Sequence, residues 1–216
     1  MRILLADNHD SFTRNLEHLL VAATGCVPIV VPADRLAEVT SGWPHASGDE
    51  SPAARWDLLV ISPGPGAPVE YPQYAPLLGG EDTRVAHAHA AAAAPPSPPP
   101  HTSNSVPAPV LGICLGLQII NAHFGGVTAP LPGCVHGKPD TLHYAGQTRT
   151  VARYHSLHLS AMGAGMRVLA RNGQGVVMAA RHECLPLLGY QFHPESFLTP
   201  DGVWWIRHAL HALGLR

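Results

Sequence analysis

Apolar residues in this chain fall into short unbroken runs rather than long alternations. Residues 3–6 (Ile-Leu-Leu-Ala), 27–31, 57–61 (opened by Asp57) and 110–113 are four such stretches. Runs of this length predict strands buried on both faces, the pattern of a parallel sheet. Ser11 stands as a helix N-cap ahead of Leu16, Leu19, Leu20 and Ala23, whose spacing predicts a helix after the first strand. Beyond about residue 140 the runs shorten. Residues 141–144, 148–153, 167–170 and 176–180 predict hairpin strands, 187–192 a further buried strand, and 203–213 a closing helix. The expected fold is α/β, a flavodoxin-like, doubly wound, mostly parallel sheet with additional antiparallel strands in its second half.

Two stretches break the pattern. Residues 41–54 are polar and turn-rich. Residues 87–109 contain seven Ala and seven Pro, and the five prolines between positions 95 and 100 forbid any helix that the alanines begin. The chain therefore reads as one domain over residues 1–216, with a low-complexity surface insertion at about 87–109. At 216 residues it is long enough to bury a core without disulfides. Its 46% hydrophobic content excludes a disordered chain, and a net charge of −2 argues against a nucleic-acid footprint. No apolar run approaches the roughly 20 residues of a membrane span, and Asp7 interrupts the N-terminus too early for a signal peptide. Cys26, Cys114, Cys134 and Cys184 form no CxxC pair, so a reducing, cytoplasmic location is expected.

Three motifs carry candidate chemistry. In Gly112-Ile113-Cys114-Leu115-Gly116, a strand runs straight into a cysteine with glycine two residues to either side. This is the nucleophile-elbow pattern with sulfur for oxygen, and a helix N-terminus beyond it favours thiolate. Alone, the motif fits a nucleophile and a buried structural cysteine equally. His193-Pro194-Glu195 follows another predicted strand and offers a base and an orienting carboxylate. Alone it also fits a surface histidine beside a surface glutamate. Pro63-Gly64-Pro65-Gly66 follows a third strand; its glycines let backbone N–H groups approach a ligand, though an isolated Pro-Gly turn is usually only a turn. The three gain meaning together. Each ends a predicted parallel strand, and in an open α/β sheet those ends share the ligand-binding edge.

These motifs resemble the class I (triad) glutamine amidotransferases. Asp7-Asn8-His9-Asp10-Ser11-Phe12-Thr13, His136-Gly137-Lys138 and Tyr154-His155-Ser156-Leu157 narrow the resemblance to the glutaminase subunits of chorismate-aminating enzymes, anthranilate synthase component II and aminodeoxychorismate synthase. The resemblance spans nearly the whole chain apart from the two insertions. It implies that Cys114 attacks the carboxamide of L-glutamine to form a γ-glutamyl thioester. His193 would shuttle the proton and Glu195 would orient His193. Backbone N–H groups of Gly66 and Leu115 would form the oxyanion hole. The turn of Gly64, Pro65 and Gly66, with Gln118, Ser156 and Leu157, would hold glutamine. The resemblance also implies a chorismate-binding synthase as partner, in a heterodimer or heterotetramer, and ammonia passed to it through a protected channel. No cofactor or metal is implied on this chain; Mg²⁺ is expected only on the partner. The Asp7–Thr13 stretch and His136-Gly137-Lys138 would be structural and partner-facing.

The chain departs from the family pattern at Leu117, where bacterial members usually carry His, and at Pro139-Asp140-Thr141 after Lys138. The position of Leu117 is not part of the triad. Rival readings are a cysteine hydrolase of the same fold, such as a γ-glutamyl peptidase, and a regulatory subunit without catalysis of its own. Metal binding is disfavoured: His155 with His158 and His208 with His211 are spaced three apart, but no HExxH is present. The sequence leaves anthranilate and aminodeoxychorismate open as products.

Overall fold

The computed structural model describes residues 1–40, 56–79, 108–133 and 137–215. Nearly all of both expected insertions, and His136, lie outside the described residues. The first half alternates strand and helix: β1 (Ile3–Asp7), α1 (Thr13–Thr24), β2 (Ile29–Pro32), α2 (Leu36–Thr40), β3 (Leu58–Ile61), β4 (Val110–Ile113) and α3 (Leu115–His123). Strands then dominate: β5 (Val127–Pro130), β6 (Lys138–Tyr144), β7 (Gln147–Arg153), β8 (Leu157–Ala161), β9 (Met166–Arg171), β10 (Val177–His182) and β11 (Leu187–Tyr190), closed by α4 (Gly202–Ala212).

Seven strands form one sheet in the order β2-β1-β3-β4-β11-β10-β9. The first five are mutually parallel, and β10 and β9 continue the sheet antiparallel. This is the expected α/β architecture. Period-two alternation sends neighbouring side chains to opposite faces. Ile3, Leu5, Leu58, Val60, Leu111 and Ile113 pack with α1 and α4, while Leu4, Ala6, Leu59, Ile61 and Val110 pack with α2 and α3. Both faces are covered, which is why these strands read as continuous apolar runs. β6 and β7 form a separate hairpin, and β5 pairs with β8.

Three local expectations are corrected. Ser11 is not the cap of α1; the helix starts at Thr13 with Phe12 in the cap position and no side-chain cap. Asp7 does the organising instead, accepting bonds from the His9 and Asp10 amides and the Thr13 hydroxyl. Strands β5 and β8 are additional to the expected set; they are largely exposed, so no buried run announces them. The strand expected over 187–192 leaves the sheet after Tyr190. The Gln191 backbone amide still donates to Met178 O on β10, and His193 then bridges to Ala152 on β7. That departure turns His193 across the C-terminal edge of the sheet.

Candidate active site

Cys114 lies between β4 and α3 with φ 52° and ψ −102°, a left-handed conformation that costs energy in a residue bearing a Cβ. The flanking glycines permit it. A Cβ on Gly112 would run into the backbone of Gly116 and Leu117, and one on Gly116 into the Ile61 carbonyl. The Cys114 amide is tied to Tyr190 O at 2.7 Å, so strand pairing fixes the elbow up to the reactive residue itself.

His193 is buried, and its Nδ1 meets Glu195 Oε1 at 2.6 Å. The backbone around it is held on several sides. The His193 amide donates to Ala152 O, and the Thr199 hydroxyl donates to His193 O at 2.7 Å while accepting from the Ala152 amide. Nε2 is buried and makes no hydrogen bond of standard geometry; its electrostatic neighbour is the Cys114 thiol. Catalytic contacts of this kind commonly tighten only as reaction proceeds. Burial, the largest influence, works against the charged ring, but the Glu195 carboxylate and then Cys114 outweigh it. His193 is therefore raised well above its ordinary 6.5.

Two aromatic rings cover this base. Phe12 lies 5.6 Å from the imidazole and Tyr154 5.0 Å, both edge-on, and the two rings are 5.0 Å from each other. Tyr154 is fixed by its hydroxyl contact of 3.0 Å with Ser196 Oγ. Phe12 comes from the stretch expected to be structural and partner-facing, yet it reaches the site.

The Pro63-Gly64-Pro65-Gly66 turn follows β3. Gly64 packs directly against Leu115 and Asn8, which joins the turn to the elbow helix. Asn8 anchors it through Nδ2 to Ser62 O at 2.8 Å and takes a 2.6 Å bond from the Tyr74 hydroxyl. Gly66 has φ 73° and sits at the exposed end against Glu70; the Tyr71 hydroxyl holds Pro65 O at 2.9 Å. Gln118, on the first turn of α3, donates through Nε2 to Leu157 O and to Gln191 Oε1, both at 3.2 Å. Both amide hydrogens are thus engaged, and its Oε1 remains to accept. Leu157 O also takes His155 Nδ1 at 2.9 Å, and Ser156 O accepts from Leu131. Gln191 sits 3.6 Å through Nε2 from Cys114 Sγ.

Two of the four histidines weighed as metal ligands have other partners. His155 is bonded through both ring nitrogens, and His208 contacts the Tyr190 and Tyr144 hydroxyls and stacks on Trp204. No group of three or more metal-ligating side chains exists among the described residues.

A strained cysteine beside a buried His–Glu pair is the arrangement of acyl transfer through a thioester. The family model for glutamine amidotransferase class-I matches residues 4–213. The chain belongs to the class I glutamine amidotransferases. Among relatives of this amidotransferase, anthranilate synthase component 2 of Mycobacterium tuberculosis is 37% identical over 213 residues, covering 94% of this chain and 78% of that protein. Anthranilate synthase component 2 of Thermus thermophilus is 35% identical, covering 94% and 88%. Aminodeoxychorismate synthase of Streptomyces griseus is 35% identical, and there the match covers 94% of this chain but 25% of the longer protein. The crystal structure of a Thermoplasma acidophilum protein, assigned to GMP synthase, superposes with a TM-score of 0.70 over 99% of this chain and 94% of that one, at 20% identity, a likeness of fold.

Proposed function

We propose that this amidotransferase is the glutaminase subunit of a chorismate-aminating synthase, hydrolysing L-glutamine at Cys114 and passing ammonia to a chorismate-binding partner. The observation that carries the chemistry is the 2.6 Å His193–Glu195 bond, buried beside a cysteine held in strained elbow geometry. Cys114 attacks the carboxamide carbon as a thiolate, its proton already held by the raised His193. The tetrahedral oxyanion is met by the backbone N–H groups of Leu115, at the start of α3, and Gly66 in the adjoining turn. Collapse breaks the C–N bond, and His193 returns the proton to the leaving ammonia. Water, deprotonated by His193, then cleaves the thioester to glutamate. Glu195 keeps Nδ1 protonated and compensates the imidazolium.

Substrate placement follows from which polar atoms remain. Gln118 offers only Oε1, an acceptor, so it suits the α-ammonium group of glutamine rather than the carboxylate. The carbonyl of Leu157 already takes two bonds, so Leu157 meets the substrate through its N–H, beside Ser156. Gly64, Pro65 and Gly66 wall the carboxamide end. Thioester chemistry asks for no cofactor on this chain, and Mg²⁺ belongs to the partner's chorismate site.

The names of the relatives support the partner, and two exposed side chains support a docking face around the site. Val69, three residues beyond Gly66, and Phe197, two beyond Glu195, are 85% and 87% exposed. Large apolar side chains so placed suit an interface. No described helix is long and apolar enough to cross a membrane. The test is ammonia release from glutamine by the chain alone, then with anthranilate synthase or aminodeoxychorismate synthase large subunits and chorismate. A rise of at least about tenfold with one of them is expected, within the roughly 10²–10³ that one oxyanion donor is worth. The aminated product then names the pathway. Full activity from the lone chain, unchanged by either partner, would favour the free-standing hydrolase.

A further inference from the structure

Gln191 is fully buried, and its side-chain amide lies between Gln118 and the reactive sulfur. Which end faces the sulfur can be worked out from a fixed starting point. Arg153, held by Asp140 Oδ2 at 2.9 Å and Gln174 Oε1 at 3.1 Å, is a donor in every state. Its Nε lies 3.2 Å from His155 Nε2, which must therefore accept. The His155 proton then sits on Nδ1 and is donated to Leu157 O. Burial, helped by the charge of Arg153, lowers His155 from 6.5 to about 4, so this neutral tautomer persists at physiological pH.

Leu157 O only accepts, so Gln118 must turn its NH₂ toward it. The second hydrogen of that NH₂ goes to Gln191, which must present Oε1. Flipping either amide would set donor against donor or acceptor against acceptor. The NH₂ of Gln191 is left facing Cys114 Sγ at 3.6 Å. Every bond from Arg153 to the sulfur is thereby assigned a donor and an acceptor.

We infer that Gln191 is a fourth catalytic residue: its amide N–H donates to the Cys114 sulfur and stabilises the thiolate, and the Leu157 carbonyl, acting through Gln118, locks it in that orientation. A neutral thiol is a weak acceptor and a thiolate a strong one, so the bond favours the ionised nucleophile. This link through Gln118 and Leu157 places the glutamine-holding groups and the sulfur in one hydrogen-bonded unit.

The inference rests on Cys114 as nucleophile, and the experiment separates the two. Alkylation by iodoacetamide is followed on the Cys114 and Cys184 peptides of the full chain across pH; Cys184 is free and exposed and serves as the reference thiol. In the wild type, Cys114 should react faster than Cys184 at neutral pH. In Gln191→Met and in the isosteric Gln191→Glu, the Cys114 rate at pH 7 should fall at least about tenfold, the low end for a hydrogen bond to an ionised group. It should rejoin the wild-type rate at alkaline pH, where the sulfur is ionised in all. Gln118→Met, which keeps Gln191 but frees its amide to turn, should show a smaller fall in the same direction. Circular dichroism confirms that each variant is folded. Should Gln191→Met prove unfolded, Gln191→Glu and Gln118→Met decide. Unchanged pH profiles in the folded variants would overturn the role of Gln191 alone. Wild-type Cys114 reacting no faster than Cys184 would overturn the nucleophile and this inference with it.

Discussion

The Phe12 ring stands edge-on to the His193 imidazole, with centroids 5.6 Å apart. Phe12 belongs to the loop that leads from β1 into α1, and His193 to the segment that follows β11, the last strand of the parallel set. Their contact closes the catalytic base under a hydrophobic lid shared with Tyr154. An aromatic pair of this kind is worth about 0.5–1.5 kcal/mol. Phe12→Ala should therefore lower kcat for glutamine hydrolysis roughly fivefold, equivalent to about 1 kcal/mol. KM should move little, since Phe12 orients the base rather than the substrate, and Phe12→Leu should recover part of the loss. Steady-state kinetics on the two variants decides it; an effect confined to KM would place Phe12 against glutamine instead.

That contact also marks the boundary of what the sequence could disclose. The parallel strands were legible because burial on both faces makes them continuous apolar runs. Cys114, His193 and the Pro63–Gly66 turn were legible because each stands where such a run ends. Phe12, Tyr154 and Gln191 were not. Phe12 and Tyr154 are separated from His193 by 181 and 39 positions and meet it only through the folded sheet. Gln191 reads as one more position of a buried strand, and only the fold brings its side chain against Gln118 and Cys114. Strands β5 and β8 escaped notice for the opposite reason, since they are exposed and carry no buried pattern.

Glu195→Gln should weaken glutaminase activity by at least about tenfold without abolishing it. The amide can still orient the imidazole but carries no charge to hold it protonated. The Glu195 carboxylate is the leading influence that raises His193, so its removal lowers the pH at which the His193 proton is lost. The alkaline limb of the activity profile should accordingly move to lower pH in the variant. A pH–rate profile identical to wild type would remove Glu195 from the mechanism.

His155 predicts a pH effect on stability rather than on rate. Its folded value of about 4 lies below the unfolded 6.5, so between those limits the unfolded chain binds more protons. Stability then falls as pH drops from about 6.5 toward 4, by an amount on the order of 3 kcal/mol at the acid end. His193, raised rather than lowered, contributes with the opposite sign, losing its share as pH rises through its folded value. Urea unfolding midpoints between pH 7 and 4 should show a shallower acid slope in His155→Gln than in the wild type. Equal slopes would mean that His155 is already charged in the folded chain.

The central claim is that Cys114 acts only in releasing ammonia from glutamine. The direct measurement is product formation from chorismate by the reconstituted complex carrying Cys114→Ala, with glutamine and with ammonium salt as alternative nitrogen sources. Glutamine-dependent synthesis should be abolished and ammonium-dependent synthesis should match the wild-type complex, because the thioester step precedes and is separate from amination. Retained glutamine-dependent synthesis in Cys114→Ala would contradict the account.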